Sequence, residues 1–232
     1  MKLTFNFNTS KYDLWEIYET IVRYYPIGLT KGEGRGIYFD YHGIKELEKI
    51  VVENVHNEEN FQKRWVRFSD SIGIKLGKEM EGKTFGQAPS FTSSVILERN
   101  EIGNCQHLKE LTFSVSMIGN YYQIYGEDST TIFDFNNRSG YRSTNVITTS
   151  PLEDFKDTFE FVEREILLKY PSHRIVPFGF GQSIIKGLQV RYIDDEDCSI
   201  NNALFNQFLK EADHNIITRG ERNYGLEKWL KV

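Results

Sequence analysis

The densest group of chemistry-bearing residues is a run of four acids, Asp194, Asp195, Glu196 and Asp197, just after an apolar stretch that ends at Tyr192. Like charges repel one another, and the repulsion costs least where the run is solvated or meets cationic groups. The run therefore indicates either an ordinary solvated turn or a patch that recognises a basic protein partner. We take the four acids as candidate partner-binding residues, with the nearby aromatics Tyr192 and Phe205 as their apolar anchor if these rings are exposed.

The same run matches a calcium-binding loop only in part. If Asp195 is the first ligand, Asp197, Ser199 and Asn201 fall at the next ligand positions. Such a loop also needs glycine at its sixth position and glutamate at its twelfth, where this chain has isoleucine and asparagine. We therefore predict no calcium site here.

Other motifs for metal, nucleotide or nucleophilic chemistry are incomplete. Cys105 and His107 are closely spaced, but a zinc site needs further Cys or His ligands at short spacing, and no second pair follows. The glycine-rich segment 32–36 lacks the Gly-Lys-Ser or Gly-Lys-Thr of a phosphate-binding loop. No Gly-x-Ser-x-Gly nucleophile elbow occurs. We therefore predict no metal, no cofactor and no catalytic residue.

Charge and composition narrow the class of partner. The chain has 232 residues, is 39% hydrophobic and 26% charged, and carries a formal net charge of -5. Nucleic-acid-binding proteins usually show a basic domain or stripe, whereas Lys and Arg are scattered among acids here. We expect no nucleic-acid partner.

The termini and cysteines bear on the compartment. Asparagines interrupt the apolar residues of segment 3–8, so no signal-peptide core forms, and no apolar run approaches the roughly 20 residues of a membrane span. Cys105 and Cys198 lie far apart in sequence and are most simply free thiols of a reducing compartment. We expect a cytoplasmic protein without membrane contact.

Alternating apolar residues predict a sheet in the middle of the chain. The alternation runs through 91–98, 111–117 and 121–125, and turn-forming residues separate these segments. A further strand is expected at 130–135. This pattern is typical of an antiparallel meander with one buried face.

The clearest helix is predicted to begin at Pro151, with Ser150 as its cap and Glu153 closing a capping box. Apolar residues then recur every three or four positions through Ile166, which predicts a face that packs on the sheet. Together these features define the α+β class, with an antiparallel sheet of about five to seven strands and helices packed on it.

Five other segments carry weaker signals. Short strands are predicted at 37–41 and 184–192, and residues 57–80 fit a helix or an exposed strand equally well. Ser199 or Asn201 is expected to cap a short helix. The polar stretch 136–149 is predicted to be a long loop, and it is where the chain would divide. No low-complexity linker is present, so we expect one globular domain over 1–232.

Two classes of function follow. The absence of a catalytic signature, the mild acidity and the many aromatic residues favour a non-catalytic protein-binding module. Bacterial immunity proteins, which bind a basic toxin or effector, share this general character, and the comparison rests on that character alone. The alternative is a hydrolase or transferase whose site is assembled from dispersed residues. The sequence does not indicate an oligomeric state.

Overall fold

A seven-stranded mixed sheet forms the centre of the protein. The computed structural model describes residues 11–32, 35–134, 139–194, 197–205 and 216–231. The strand order is β1-β2-β3-β4-β5-β7, and β6 pairs with β4. The strands are β1 Met80–Gly82, β2 Ser90–Ile102, β3 Cys105–Ser116, β4 Tyr121–Asp134, β5 Ser139–Thr148, β6 Arg174–Ile175 and β7 Ile217–Arg219.

Helices precede the sheet, interrupt it and follow it. The α-helices are α1 Trp15–Tyr24, α2 Arg35–Asp40, α3 His42–Val51, α4 Glu58–Phe61, α5 Arg67–Leu76, α6 Lys156–Lys169, α7 Phe178–Gly181 and α8 Ile200–Leu204. Two π-helical turns, Val52–His56 and Gln62–Val66, flank α4 and join α3 to α5. The ambiguous segment 57–80 is therefore mostly helical, and Gly77 ends α5 in the left-handed conformation, with φ +61°.

Strands β1 to β5 pair antiparallel in sequence order, whereas β6 and β7 pair parallel with β4 and β5. The predicted α+β class, with helices packed on a mostly antiparallel sheet, is confirmed. The predicted long loop at 136–149 is wrong, because residues 139–148 form β5. Their side chains are largely polar, so the sequence lacks the apolar alternation that marks a buried strand.

One face of the sheet is apolar and packs against α5 and α6. The Trp65 ring stacks on the Phe91 ring with centroids 5.4 Å apart, and Phe113 lies beside both. From α6, Phe159 contributes a side chain with no exposed surface. The apolar face predicted for this helix is confirmed, since Phe155, Phe159, Val162 and Ile166 are all buried.

The opposite face of the sheet is polar and also buried. Hydroxyl groups pair across β2 and β3, with 2.9 Å between the oxygens of Thr92 and Ser114 and 2.7 Å between those of Ser94 and Thr112. Phe178 of α7 packs on Tyr125 of this face, at 6.0 Å between centroids. A second core lies among α1, α3, α8 and the C-terminal segment, and Tyr121 of β4 belongs to it.

Two predicted strands are wrong. Residues 35–40 form α2 instead of a strand. In 184–192 only Ile184 bridges to another residue, Ser199. Gly187 has φ +78° and bonds through its carbonyl oxygen to the Gly28 backbone, so the chain turns there. Leu188 and Val190 are buried in the second core without a strand ladder, which explains the misleading apolar pattern.

The start of α6 is also displaced from its predicted position. The Ser150 hydroxyl accepts a hydrogen bond from the backbone N–H of Glu221, at 2.9 Å, instead of capping the helix. Leu152 is extended, Glu153 has φ +47°, and one 3₁₀ turn precedes Lys156. The predicted Ser199 cap is confirmed, because Ser199 and Asn202 form a reciprocal capping box at α8.

Candidate functional site

The acidic run divides into residues with different environments. The Asp194 side chain is fully exposed and lies 3.7 Å from the Lys31 ammonium. The Asp197 carboxylate accepts a hydrogen bond from the Gly187 backbone N–H at 2.7 Å, so it supports the turn at Gly187. The other two candidates, Asp195 and Glu196, lie outside the described residues.

Tyr192 faces the interior of the protein. Its hydroxyl lies within hydrogen-bonding distance of the Asn202 and Phe205 carbonyl oxygens, and its ring contacts the Phe85 ring at 5.6 Å. Burial raises the pKa of the Tyr192 phenol well above its ordinary value. Phe205 has no exposed surface. Both aromatics therefore help form the core, and the partner-binding role of the acidic run remains a prediction that rests on its charges.

A different surface gathers exposed apolar residues from four successive strands. Ile102 of β2 pairs with Cys105 of β3, Cys105 pairs with Ile132 of β4, and Ile132 pairs with Tyr141 of β5. Directly paired residues point to the same side of a sheet, so the four side chains form one row. We call these four residues the distal row. Ile102 is 80% exposed, Tyr141 72% and Ile132 52%, and Cys105 is half-buried.

The distal row is exposed because the strands are longer than the helices that cover them. Strands β2 and β4 have 13 and 14 residues, and in each only the end near the helices is buried. On the covered part of this face lie apolar side chains such as Val95, Leu111 and Ile124. Beyond the irregularity between Ile96 and Glu98 in β2, that strand extends past the helical layer into solvent.

The outer edge of β5 adjoins the distal row. Strand β7 pairs only with Val146–Thr148, and no other described strand pairs with the outer edge of residues 139–145. A strand edge presents unpaired backbone N–H and C=O groups that can bind another strand. Gly140, Tyr141 and Arg142 are exposed along this edge. Among the described residues, a strand edge without a pairing partner therefore lies beside an apolar row.

An ion cluster on the opposite face holds this end of the sheet together. The Arg142 guanidinium lies 2.7 Å from the Glu110 carboxylate and 3.1 Å from that of Glu127, which joins β5 to β3 and β4. The Lys83 ammonium lies 2.5 Å from Glu110, and the Thr144 hydroxyl donates to Glu127 at 2.6 Å. The cluster anchors the strand that carries Tyr141.

Electrostatics keep Glu110 ionised although its side chain has no exposed surface. Burial raises the pKa of this carboxyl, but the charges and hydrogen bonds of Lys83 and Arg142 outweigh burial and leave the pKa below its ordinary value. Glu110 and Glu127 lie opposite each other on adjacent strands, so their carboxylates are paired in space. Because cations and a hydroxyl already hold both carboxylates, their arrangement is that of a structural network.

Polar groups border the distal row on its own face. The His107 imidazole lies 2.8 Å from the Asp128 carboxylate, and the Lys109 ammonium lies 2.8 Å from Asp154 and 3.5 Å from Glu98. This border contains more carboxylates than cations, and that excess would favour a partner whose own rim is basic. A mixed polar rim around an apolar centre is the usual anatomy of a protein interface.

The described residues also show which chemistry lacks support. They contain no group of three or more His, Cys, Asp or Glu side chains that could hold a metal ion. None of their helices has the length and apolar character needed to cross a membrane.

The distal row was missed from sequence because Tyr141 lies in the predicted loop and the row depends on strand register. Comparison with protein-family models, curated proteins and solved structures finds no match for the chain.

Proposed function

We propose that this protein is a non-catalytic protein-binding module that binds its partner through the distal row and the outer edge of β5. The observation that supports the proposal is the row itself: Ile102, Cys105, Ile132 and Tyr141, in register across four strands and largely exposed. Soluble proteins rarely expose a contiguous group of large apolar side chains unless it contacts another molecule.

The geometry fits strand addition. An extended segment of the partner pairs with residues 139–145 through backbone hydrogen bonds, and its alternate side chains lie toward Tyr141 and Ile132. Tyrosine is common at the energetic centre of interfaces because it combines a large apolar ring with a hydroxyl. Basic groups of the partner meet Glu98 and Asp128 at the rim. An immunity-type inhibitor of a basic toxin or effector is one form of such a module.

The first test locates the interface with a photo-crosslinking amino acid. We place p-benzoylphenylalanine at Tyr141 in one variant and at Ile74 in a matched control, because Ile74 is 82% exposed but lies on α5. We expect a specific crosslinked protein from position 141 and none from position 74. Equal crosslinking from both positions would show non-specific contact and contradict the proposal.

The second test measures affinity with the crosslinked protein once it is purified. We expect the double variant Ile132→Ser, Tyr141→Ser to bind at least about tenfold more weakly, since losing interface anchors typically costs about 2 kcal/mol or more. The single variant Ile74→Ser is the control and should bind like the wild type. An unchanged affinity of the double variant, with its unfolding midpoint preserved, would remove the distal row from the interface.

A further inference from the structure

A separate cleft of about 620 Å³ opens where the β3–β4 connection meets the C-terminal end of α6 and the π-helical turns. Its polar lining includes three cations, Lys63, Arg64 and Lys169, together with Asn54 and His173. No aspartate or glutamate is among the described residues that line it. The volume lies within the range of small-molecule sites, about 300–1,000 Å³.

The three cations lack carboxylate partners. Lys63, Arg64 and Lys169 form no ion pair with a described residue, and all three line the same cleft. This concentration of uncompensated positive charge occurs in a protein whose formal net charge is -5. Clefts lined by charge of one sign attract ligands of the opposite sign.

Neighbouring groups hold two of these cations, Arg64 and Lys169, in place. The Arg64 guanidinium donates to the Asn54 side-chain oxygen at 2.7 Å, and the Tyr170 hydroxyl donates to the Arg64 carbonyl oxygen at 3.1 Å. The Lys169 ammonium lies 5.3 Å from the centroid of the Phe68 ring and 5.7 Å from that of Tyr170. Such contacts reduce the conformational entropy lost when a ligand binds.

The local helix geometry explains how these side chains meet. Lys63 and Arg64 belong to the π-helical turn Gln62–Val66, and Asn54 belongs to the turn Val52–His56. Each π-turn rotates the following side chains relative to a regular α-helix, and such turns occur frequently at functional sites. Asn54 also donates to the Ile50 carbonyl oxygen at 2.7 Å, which fixes its side chain beside Arg64.

The rest of the cleft suits an organic group. Phe91, Val115 and Met117 supply apolar lining, and the Tyr170 and His173 rings lie 4.9 Å apart in its wall. The Nδ1 atom of His173 is buried and has no hydrogen-bond partner. Burial also lowers the pKa of His173, which favours the neutral imidazole at pH 7.

We propose that this cleft binds an organic phosphate of about mononucleotide size. A phosphate dianion can accept hydrogen bonds from several cations at once, and an arginine guanidinium contacts two phosphate oxygens in one plane. The apolar and aromatic lining accommodates the organic body. The cleft is far larger than a ligand with only a carboxylate would need. The net negative charge of the protein disfavours binding of a long nucleic acid.

The test uses adenosine monophosphate, inorganic phosphate and adenosine as probes in titration calorimetry on the full chain. We expect adenosine monophosphate to bind most tightly, because only this probe uses both the cations and the apolar lining. Arg64→Met should weaken its binding about tenfold or more, as expected for loss of a charge-assisted hydrogen bond. Arg67→Met is the matched control, since Arg67 is exposed one turn further along and does not line the cleft.

Three results would overturn the proposal. The first is a Kd for adenosine monophosphate weaker than about 1 mM, with phosphate equally weak. The second is an equal loss of affinity in Arg64→Met and Arg67→Met, which would indicate non-specific charge attraction. The third is binding of a single-stranded oligonucleotide that is much tighter than binding of the mononucleotide. The variant Ile132→Ser, Tyr141→Ser should bind the mononucleotide normally, so this test is independent of the proposed protein interface.

Discussion

Replacing Glu110 with glutamine tests the ion cluster that supports the distal end of the sheet. The wild-type carboxylate is buried and meets Lys83 at 2.5 Å and Arg142 at 2.7 Å. Glutamine keeps the shape of the side chain and removes its charge. The substitution therefore isolates the electrostatic contribution of Glu110 to folding.

The expected loss of stability depends on how exposed Lys83 and Arg142, the partners of Glu110, are. Breaking a fully buried ion pair typically destabilises a protein by about 3–5 kcal/mol. The Lys83 and Arg142 side chains retain 23% and 41% of their exposure, so water can partly solvate them, and Arg142 keeps Glu127 at 3.1 Å. We therefore expect Glu110→Gln to lower the free energy of unfolding by about 2–3 kcal/mol at pH 7.

The pH dependence gives a sharper criterion. The folded-state pKa of Glu110 is depressed, so its stabilising contribution is complete above the pKa of the unfolded chain and is lost as pH falls through the folded-state pKa. The difference in the free energy of unfolding between wild type and Glu110→Gln should be constant from pH 8 to about pH 5 and should shrink below about pH 5.

Urea denaturation followed by tryptophan fluorescence at pH 7, 5, 4 and 3 measures this difference. The exposed residue Glu81 provides the control: Glu81→Gln should change the free energy of unfolding by less than about 0.5 kcal/mol. A loss below about 0.5 kcal/mol for Glu110→Gln at pH 7, or a loss that does not vary with pH, would refute this account of the cluster.

Three further predictions concern the core, the thiols and the acidic run. Phe159→Ala should lower the free energy of unfolding by about 3–5 kcal/mol in thermal or urea denaturation, and a loss below about 1 kcal/mol would contradict its burial. A thiol reagent should modify Cys105 in the folded protein and the fully buried Cys198 only after unfolding, as measured by mass spectrometry, and a bound partner should protect Cys105. Changing all four acids of 194–197 to amides should slow association with a basic partner at low salt more than it alters dissociation, and unchanged stopped-flow association rates would exclude that role.

Local sequence was enough to predict the buried faces of β2, β3 and α6. The alternation around Phe91, Phe113 and Val115 corresponds to one buried face because side chains in a strand alternate strictly between the two sides of a sheet. The stripe that includes Phe159 and Val162 fixed the buried face of α6 for the equivalent reason in a helix. The Ser199 cap was also predictable, since its reciprocal bonds with Asn202 span only three residues.

Predictions failed where contacts with residues distant in sequence set the local conformation. Ser150 looks like a helix cap, but its hydroxyl bonds to the backbone of Glu221, which is 71 residues away. Ile185, Leu188 and Val190 are buried in the second core with no strand ladder, and hydropathy alone records only their burial. Strand β5 is held by backbone bonds with β4. Its side chains are mostly polar, so no apolar alternation marks it in the sequence.

Both candidate sites depend on tertiary structure. Each residue of the distal row is unremarkable in sequence, and only the register of four strands aligns Ile102 with Tyr141 across 39 positions of the chain. The cationic cleft brings Arg64 from a π-helical turn to the end of α6, where Lys169 lies. Sequence by itself determined which residues prefer burial and which local backbone they favour. Strand register and helix packing decided which exposed groups became neighbours, because those contacts join segments whose separation in sequence leaves no periodic signal.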